Sequence, residues 1–175
     1  MNKTVTAVLA ISALAVNVAG ATSNNTVGGT NNTISATSTS SMVSGFQNHI
    51  DANNALAFGN QARTASYDSV AIGNGAFVSG ESSVAFGRSN NVTGENSVAI
   101  GANNGTVAGG QSAVVGYNNK IGTQKEQLVF GSNSETTGQG ALVFGTHAKA
   151  LATDALAFGN NTIADKANSV ALGTN

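Results

Sequence analysis

A five-residue sequence that recurs at a fixed spacing constrains this chain more than any other feature. Ser97-Val98-Ala99-Ile100-Gly101 is repeated almost unchanged at 69–73, 83–87 and 169–173, with looser copies at 55–59, 112–116, 127–131, 141–145 and 155–159. The closing glycines are 14 residues apart in six of the eight steps and 15 residues apart in the other two. A period held over nine copies is typical of a stacked repeat protein, in which each unit contacts its neighbours.

The pattern inside each copy predicts two short β-strands. Apolar residues lie three and one before the closing glycine, which is the two-residue period of a strand. Small or β-branched residues recur three and five after the glycine and predict a second strand. Glycine-containing segments such as 80–81 and 94–95 separate the strands and predict turns. Stacking about ten such units predicts an all-β fold, a parallel β-roll (solenoid) of 14-residue repeats.

The side of the first strand that faces the core is predicted from charge. None of the charged residues falls three or one before the glycine, and unpaired charges are costly to bury. These two columns are therefore predicted to form the core: Leu56, Phe58, Val70, Ile72, Val84, Phe86, Val98, Ile100, Leu128, Phe130, Leu142, Phe144, Leu156 and Phe158.

The column two before the glycine then points outward, because successive side chains of a strand alternate. It would form a continuous stripe of small apolar residues, which favours an interface between copies of the chain. The alternative is a flattened coil in which this column lies partly inside. The predicted oligomer interface consists of Ala57, Ala71, Ala85, Ala99, Val114, Val129, Val143, Ala157 and Ala171.

Composition excludes several function classes. Charged residues make up 9% of the chain and the formal net charge is -1, so neither nucleic acid nor an anionic membrane is an expected partner. The chain has no cysteine, which excludes disulfides, thiol catalysis and cysteine zinc sites.

The chain divides into three predicted segments. Residues 1–21 are predicted to be a signal peptide, because Lys3 precedes an apolar run over 5–18 and small residues at 19–21 suit a cleavage site. Residues 22–54 form a polar N-terminal segment with degenerate first coils, and residues 55–175 carry the repeats. The protein is therefore expected to be exported, either to the bacterial cell surface or as a secreted protein.

The repeated motif, with Asn96 before Ser97 and Asn168 before Ser169, resembles the head domain of YadA-like trimeric autotransporter adhesins. The resemblance implies a left-handed parallel β-roll, a homotrimer, and a role in adhesion and virulence at the cell outer membrane, with an extracellular matrix protein or host cell surface as partner. A family motif, Asn-Ser-Val-Ala-Ile-Gly-x-x-Ser, is linked to collagen binding. It implies a ligand site at Asn96, Ser97, Val98, Ala99, Ile100 and Gly101, although Asn104 stands where that motif ends in Ser.

A structural role is the alternative function. No heptad stalk or membrane-anchor strands follow the repeats in this sequence, which favours a structural subunit of a surface or secreted fibre without its own membrane anchor. An enzyme is not expected, because a 14-residue period does not fit the six-residue period of β-helix acyltransferases. His49 and His147 lie in different coils, and no catalytic residue, cofactor or metal site is predicted.

Overall fold

Two kinds of strand alternate along the described part of the chain. The structure is a computed structural model that describes residues 17–18 and 25–174. The five-residue strands are β2 (Thr26–Thr30), β4 (Met42–Phe46), β6 (Leu56–Asn60), β8 (Val70–Asn74), β10 (Val84–Arg88), β12 (Val98–Ala102), β14 (Ala113–Tyr117), β16 (Leu128–Ser132), β18 (Leu142–Thr146), β20 (Leu156–Asn160) and β22 (Val170–Thr174). The two-residue strands are β1 (Asn17–Val18), β3 (Thr33–Ile34), β5 (His49–Ile50), β7 (Arg63–Thr64), β9 (Phe77–Val78), β11 (Asn91–Val92), β13 (Thr106–Val107), β15 (Lys120–Ile121), β17 (Glu135–Thr136), β19 (Lys149–Ala150) and β21 (Ile163–Ala164).

Each strand pairs in parallel with the equivalent strand of the coil before and after it. The long strands form one 11-stranded sheet in the order β2-β4-β6-β8-β10-β12-β14-β16-β18-β20-β22. The short strands form a seven-stranded sheet from β1 to β13 and a four-stranded sheet from β15 to β21. The predicted all-β solenoid of parallel strands is confirmed, with about eleven turns instead of ten.

The closing glycines keep the coils in register. Gly87 has a φ of 113°, and a Cβ built on it would lie 1.9 Å from the carbonyl oxygen of Gly101 in the next coil. Only glycine combines this backbone conformation with such a close approach. The same contact recurs along the column, which explains why the closing glycine is the most regular residue of the repeat.

The core consists of small side chains from both kinds of strand. Long strands contribute the column two before the glycine, and short strands contribute their second residue, for example Ala71 opposite Val78. Each coil is therefore a flattened loop whose interior is filled by alanine, valine and a few isoleucine or threonine side chains.

The predicted orientation of the long strands is wrong. The columns expected in the core are half-buried or exposed: Leu56, Phe58, Val70, Ile72, Val84, Phe86, Val98, Ile100, Leu128, Phe130, Leu142, Phe144, Leu156 and Phe158. The column expected at an oligomer interface is instead inside the coil, with no exposed surface at eight positions and partial burial at the ninth: Ala57, Ala71, Ala85, Ala99, Val114, Val129, Val143, Ala157 and Ala171. The interior is too narrow for phenylalanine, so the small side chains occupy it and the large ones face outward.

Buried polar side chains bridge successive coils. The hydroxyl of Ser83 donates to the carbonyl oxygens of Glu81 (3.0 Å) and Gly94 (2.8 Å) and accepts from the amide of Ser97 (3.0 Å). Such bonds satisfy the polar groups that the turns leave inside the protein.

Buried asparagines make a second set of bridges. The amide nitrogen of Asn48 donates to the carbonyl oxygens of Ser44 (2.8 Å) and Gly59 (2.9 Å), and its oxygen accepts from the amide of Ala62 (2.7 Å). Asn90, Asn104 and Asn119 occupy equivalent positions in the middle of the solenoid, where two coils have 15 residues.

The extra residues of the two longer coils lie at different turns. In the first, Gly105 is inserted after Asn104, so that Val107 and not Thr106 aligns with Val92. The inward position expected at Thr106 is therefore displaced by one residue. In the second, the extra residue lies within 122–126, between β15 and β16.

The N-terminal prediction lies mostly outside the part that the structure describes. Asn17–Val18 pairs in parallel with Thr33–Ile34, and the rest of the predicted signal peptide falls in residues that are not described. The described residues contain no helix, and so no helix with the length and hydrophobicity needed to cross a membrane.

Candidate interaction surface

The outer side of the long-strand sheet carries a strip of apolar side chains, called here the apolar face. It consists of two parallel columns. The column three before the glycine contains Met42, Leu56, Val70, Val84, Val98, Ala113, Leu128, Leu142, Leu156 and Val170. The column one before the glycine contains Phe58, Ile72, Phe86, Ile100, Val115, Phe130, Phe144, Phe158 and Leu172.

Much of this surface is open to solvent in the single chain. Phe86 is 50% exposed, Phe158 is 53% exposed and Leu172 is 71% exposed. No Lys, Arg, Asp or Glu interrupts either column. With a rise of about 4.8 Å per strand, the strip is about 45 Å long.

Aromatic stacking makes the C-terminal part of the apolar face regular. The rings of Phe130 and Phe144 lie 5.2 Å apart between centroids and 4° from parallel. Phe144 and Phe158 follow at 5.7 Å with a 41° tilt. This order arises because parallel in-register pairing places identical residues directly above one another.

The predicted ligand segment at 96–101 is divided between the two sides of the sheet. Ser97 and Ala99 have no exposed surface, so their side chains cannot contact a ligand. Asn96 is exposed at the turn, whereas Val98 and Ile100 belong to the apolar face. This segment has a structural role, because the hydroxyl of Ser97 donates hydrogen bonds to the carbonyl oxygens of Glu95 (2.9 Å) and Gly109 (3.1 Å).

The outer side of the short strands differs in character from the apolar face. Lys120, Glu135 and Lys149 form a ladder, with Nζ–Oε distances to Glu135 of 2.6 Å and 3.8 Å. Arg63 lies over the ring of Phe77 at 5.6 Å. Near the N-terminal end, Nδ1 of His49 lies 2.5 Å from the hydroxyl of Thr33.

No metal-binding arrangement is present in the described part of the chain. No group of three or more His, Cys, Asp or Glu side chains is placed to hold a metal ion there. His49 lies on β5 and His147 lies in the turn after β18, so the structure does not bring the two histidines together.

Comparison with known families agrees with this architecture. The family model described as the YadA head domain repeat (2 copies) matches residues 51–76, 79–104, 137–162 and 150–175. The chain belongs to the YadA head family. No curated protein matches the YadA-like chain. The matched segments include the long strands from β6 to β12 and from β18 to β22, which carry most of the apolar face.

Proposed function

We propose that this YadA-like chain is the head of a trimeric adhesin, exported to the bacterial surface, where it binds host matrix or cell-surface ligands. The observation that supports self-assembly is the apolar face. Soluble monomers rarely expose contiguous apolar patches beyond a few hundred Å², and larger ones mark interaction sites. A strip without charges along nearly the whole solenoid is suited to contact the same strip on identical chains.

A closed ring of copies fits this strip better than an open fibre does. The strip runs parallel to the solenoid axis, so copies that share one rotation axis bring all equivalent coils to the same height. A closed cyclic arrangement satisfies every apolar face, and most soluble homo-oligomers are closed in this way. Membership of the YadA head family supports the trimer among such arrangements.

The mass in solution tests the assembly. Light scattering of the exported protein should give three times the chain mass. Phe144→Asp should shift the protein toward single chains while the β-sheet circular dichroism persists, because a charge would be buried between subunits. Thr146→Asp, two residues along the same strand and outside the apolar face, is the matched control and should remain trimeric.

Other masses would contradict the trimer. A stable monomer of the unaltered chain would leave the apolar face without a partner. A very large or polydisperse species, seen as filaments by electron microscopy, would support the structural subunit of a fibre instead.

Adhesion is tested separately from assembly. The family supports binding of host surfaces, and Asn96 is the exposed polar side chain of the predicted ligand segment. In a solid-phase assay against immobilised collagen and other matrix proteins, the trimer should be retained on at least one surface. Retention equal to that on albumin for every surface would contradict the adhesive role.

A further inference from the structure

A groove on another part of the solenoid has no role in the proposed trimer. It is an open cavity of about 430 Å³, within the range of ligand-binding pockets. It lies where the short strands end and the next turns begin, and consecutive coils of one chain build it. Its polar side chains are those of Ser66, Ser79, Glu81, Thr93, Glu95 and Lys125.

The groove offers hydrogen-bonding groups that the protein does not use. The hydroxyls of Ser66, Ser79 and Thr93 make no hydrogen bond within the described part of the chain. The Glu81 side chain forms no ion pair there, whereas the Glu95 carboxylate lies 3.7 Å from the Lys125 ammonium group. The site therefore presents both acceptors and donors to a ligand.

A glycine in one wall makes room for this pairing. Gly110 lies between the coils of Glu95 and Lys125, and a Cβ there would lie 3.1 Å from Cγ of Glu95. The carboxylate can therefore extend across Gly110 towards Lys125. The buried Gly80 and Gly94 form part of the floor and carry no side chain into the cavity.

The spacing of the groups indicates the kind of ligand. Val78 pairs with Val92, so Ser79 and Thr93 follow at equivalent positions on successive coils, about 4.8 Å apart. An extended peptide presents side chains on one face about every 6.7 Å, which does not match this rise. A sugar residue in an extended oligosaccharide has nearly the length of one coil step, and its hydroxyls both donate and accept.

We propose that this groove binds an extended, uncharged oligosaccharide. Tyr67 is 55% exposed and holds the turn position one coil before Glu81, because the amide of Ser82 donates to its carbonyl oxygen as the amide of Asn96 does to that of Glu81. An aromatic ring at this end of the groove suits the apolar face of a sugar ring. Two carboxylates against one ammonium group disfavour a polyanionic chain. The Glu81 and Glu95 carboxylates accept hydrogen bonds from sugar hydroxyls, and Lys125 donates to them.

Chitohexaose, a linear uncharged hexasaccharide, is the probe, measured by calorimetry and by amide chemical shifts of the full chain. Binding should saturate, with the largest shifts at Ser79, Thr93 and their neighbours. Glu81→Gln and Thr93→Val should each weaken binding about fivefold to tenfold, the effect of one lost hydrogen bond. Asp165→Asn changes an exposed carboxylate three coils beyond Lys125, near the C-terminal end of the solenoid, and should have no effect.

Three results would overturn the proposal. The first is the absence of saturable binding up to about 10 mM chitohexaose. The second is binding whose shifts map outside the groove. The third is tighter binding of spermine that Glu81→Gln abolishes, which would make the groove a polycation site. Because one chain builds the groove, Phe144→Asp should bind chitohexaose as the unaltered protein does, so the outcome is independent of the trimer.

Discussion

The two sides of the long-strand sheet are both apolar, yet they differ in the size of their side chains. The inner side carries alanine and valine, which the coil buries completely from Ala57 to Ala157. The outer side carries all the leucine, isoleucine and phenylalanine of the two columns besides several valines, and one chain leaves these side chains half-buried or exposed. The comparison shows that a thin solenoid places its largest hydrophobic residues on its outer surface, not in its own interior.

The largest difference between the two sides is expected when the same charge is placed on adjacent residues. Val143→Asp should prevent folding, because it puts an unpaired carboxylate into the core, at a cost of about 4 kcal/mol or more. Phe144→Asp should keep the fold. Far-UV circular dichroism and thermal melting of the two variants measure the difference.

The opposite result would restore the orientation predicted from the sequence. If Val143→Asp melts like the unaltered chain while Phe144→Asp does not fold, the inner and outer sides have been exchanged. Val143→Ala serves as a control for volume and should cost only about 1 to 2 kcal/mol.

The closing glycines hold successive coils at the stacking distance, so the long-strand sheet with its inner and outer sides depends on them. Gly87→Ala should destabilise the protein by about 3 kcal/mol or more, since its Cβ would overlap the Gly101 carbonyl oxygen. Gly75→Ala is the control: its φ is 65° and its nearest contact would be 3.8 Å away. That variant should lose only about 1 kcal/mol, and equal losses in urea unfolding would contradict the packing argument.

Substitution of a bridging asparagine measures how much the buried polar groups contribute to the free energy of unfolding, compared with the buried apolar side chains. Asn104 donates to the carbonyl oxygen of Gly116 (3.1 Å), and its own oxygen accepts from the amide of Asn119 (3.2 Å). Asn104→Ala leaves both groups without that partner and should cost about 2 kcal/mol. Asn160→Ala, at an exposed strand end, should be near neutral in the same urea titration.

The smallest effect is expected on the outer side of the short strands. Lys120 is 71% exposed and Glu135 is 21% exposed, so their ion pair is partly screened by water. Lys120→Ala should lower stability by about 0.5 kcal/mol or less, and 1 M salt should remove most of the difference. A larger, salt-independent loss would show that this surface also packs against a partner.

The period of the sequence predicts the strands, turns, coil stacking and glycine column, because these depend on local pattern and on repetition. The orientation of the long strands could not be predicted from charge. Charged residues are absent from the inner side, which is buried, and equally absent from the apolar face. Absence of charge therefore does not distinguish a core from an exposed apolar surface.

The recurring serine is the sequence feature from which the orientation of the long strands could have been predicted. Ser69, Ser83 and Ser97 lie four before the closing glycine and are fully buried, where their hydroxyls bond carbonyl oxygens of the turns. Alternation from that position places the next inward residue at Ala71, Ala85 or Ala99. The sugar-binding groove could not be predicted in this way, since it depends on how turns from several coils meet.

The in-register pairing of whole coils makes this protein extensible by duplication. Inserting one more 14-residue unit adds one long strand, one short strand and one further pair of residues to the apolar face. The added coil meets the same chemical surroundings as its neighbours, so existing contacts keep their geometry. Copy number therefore sets both the length of the rod and the area of its apolar face, and duplication changes the two together without substituting any residue.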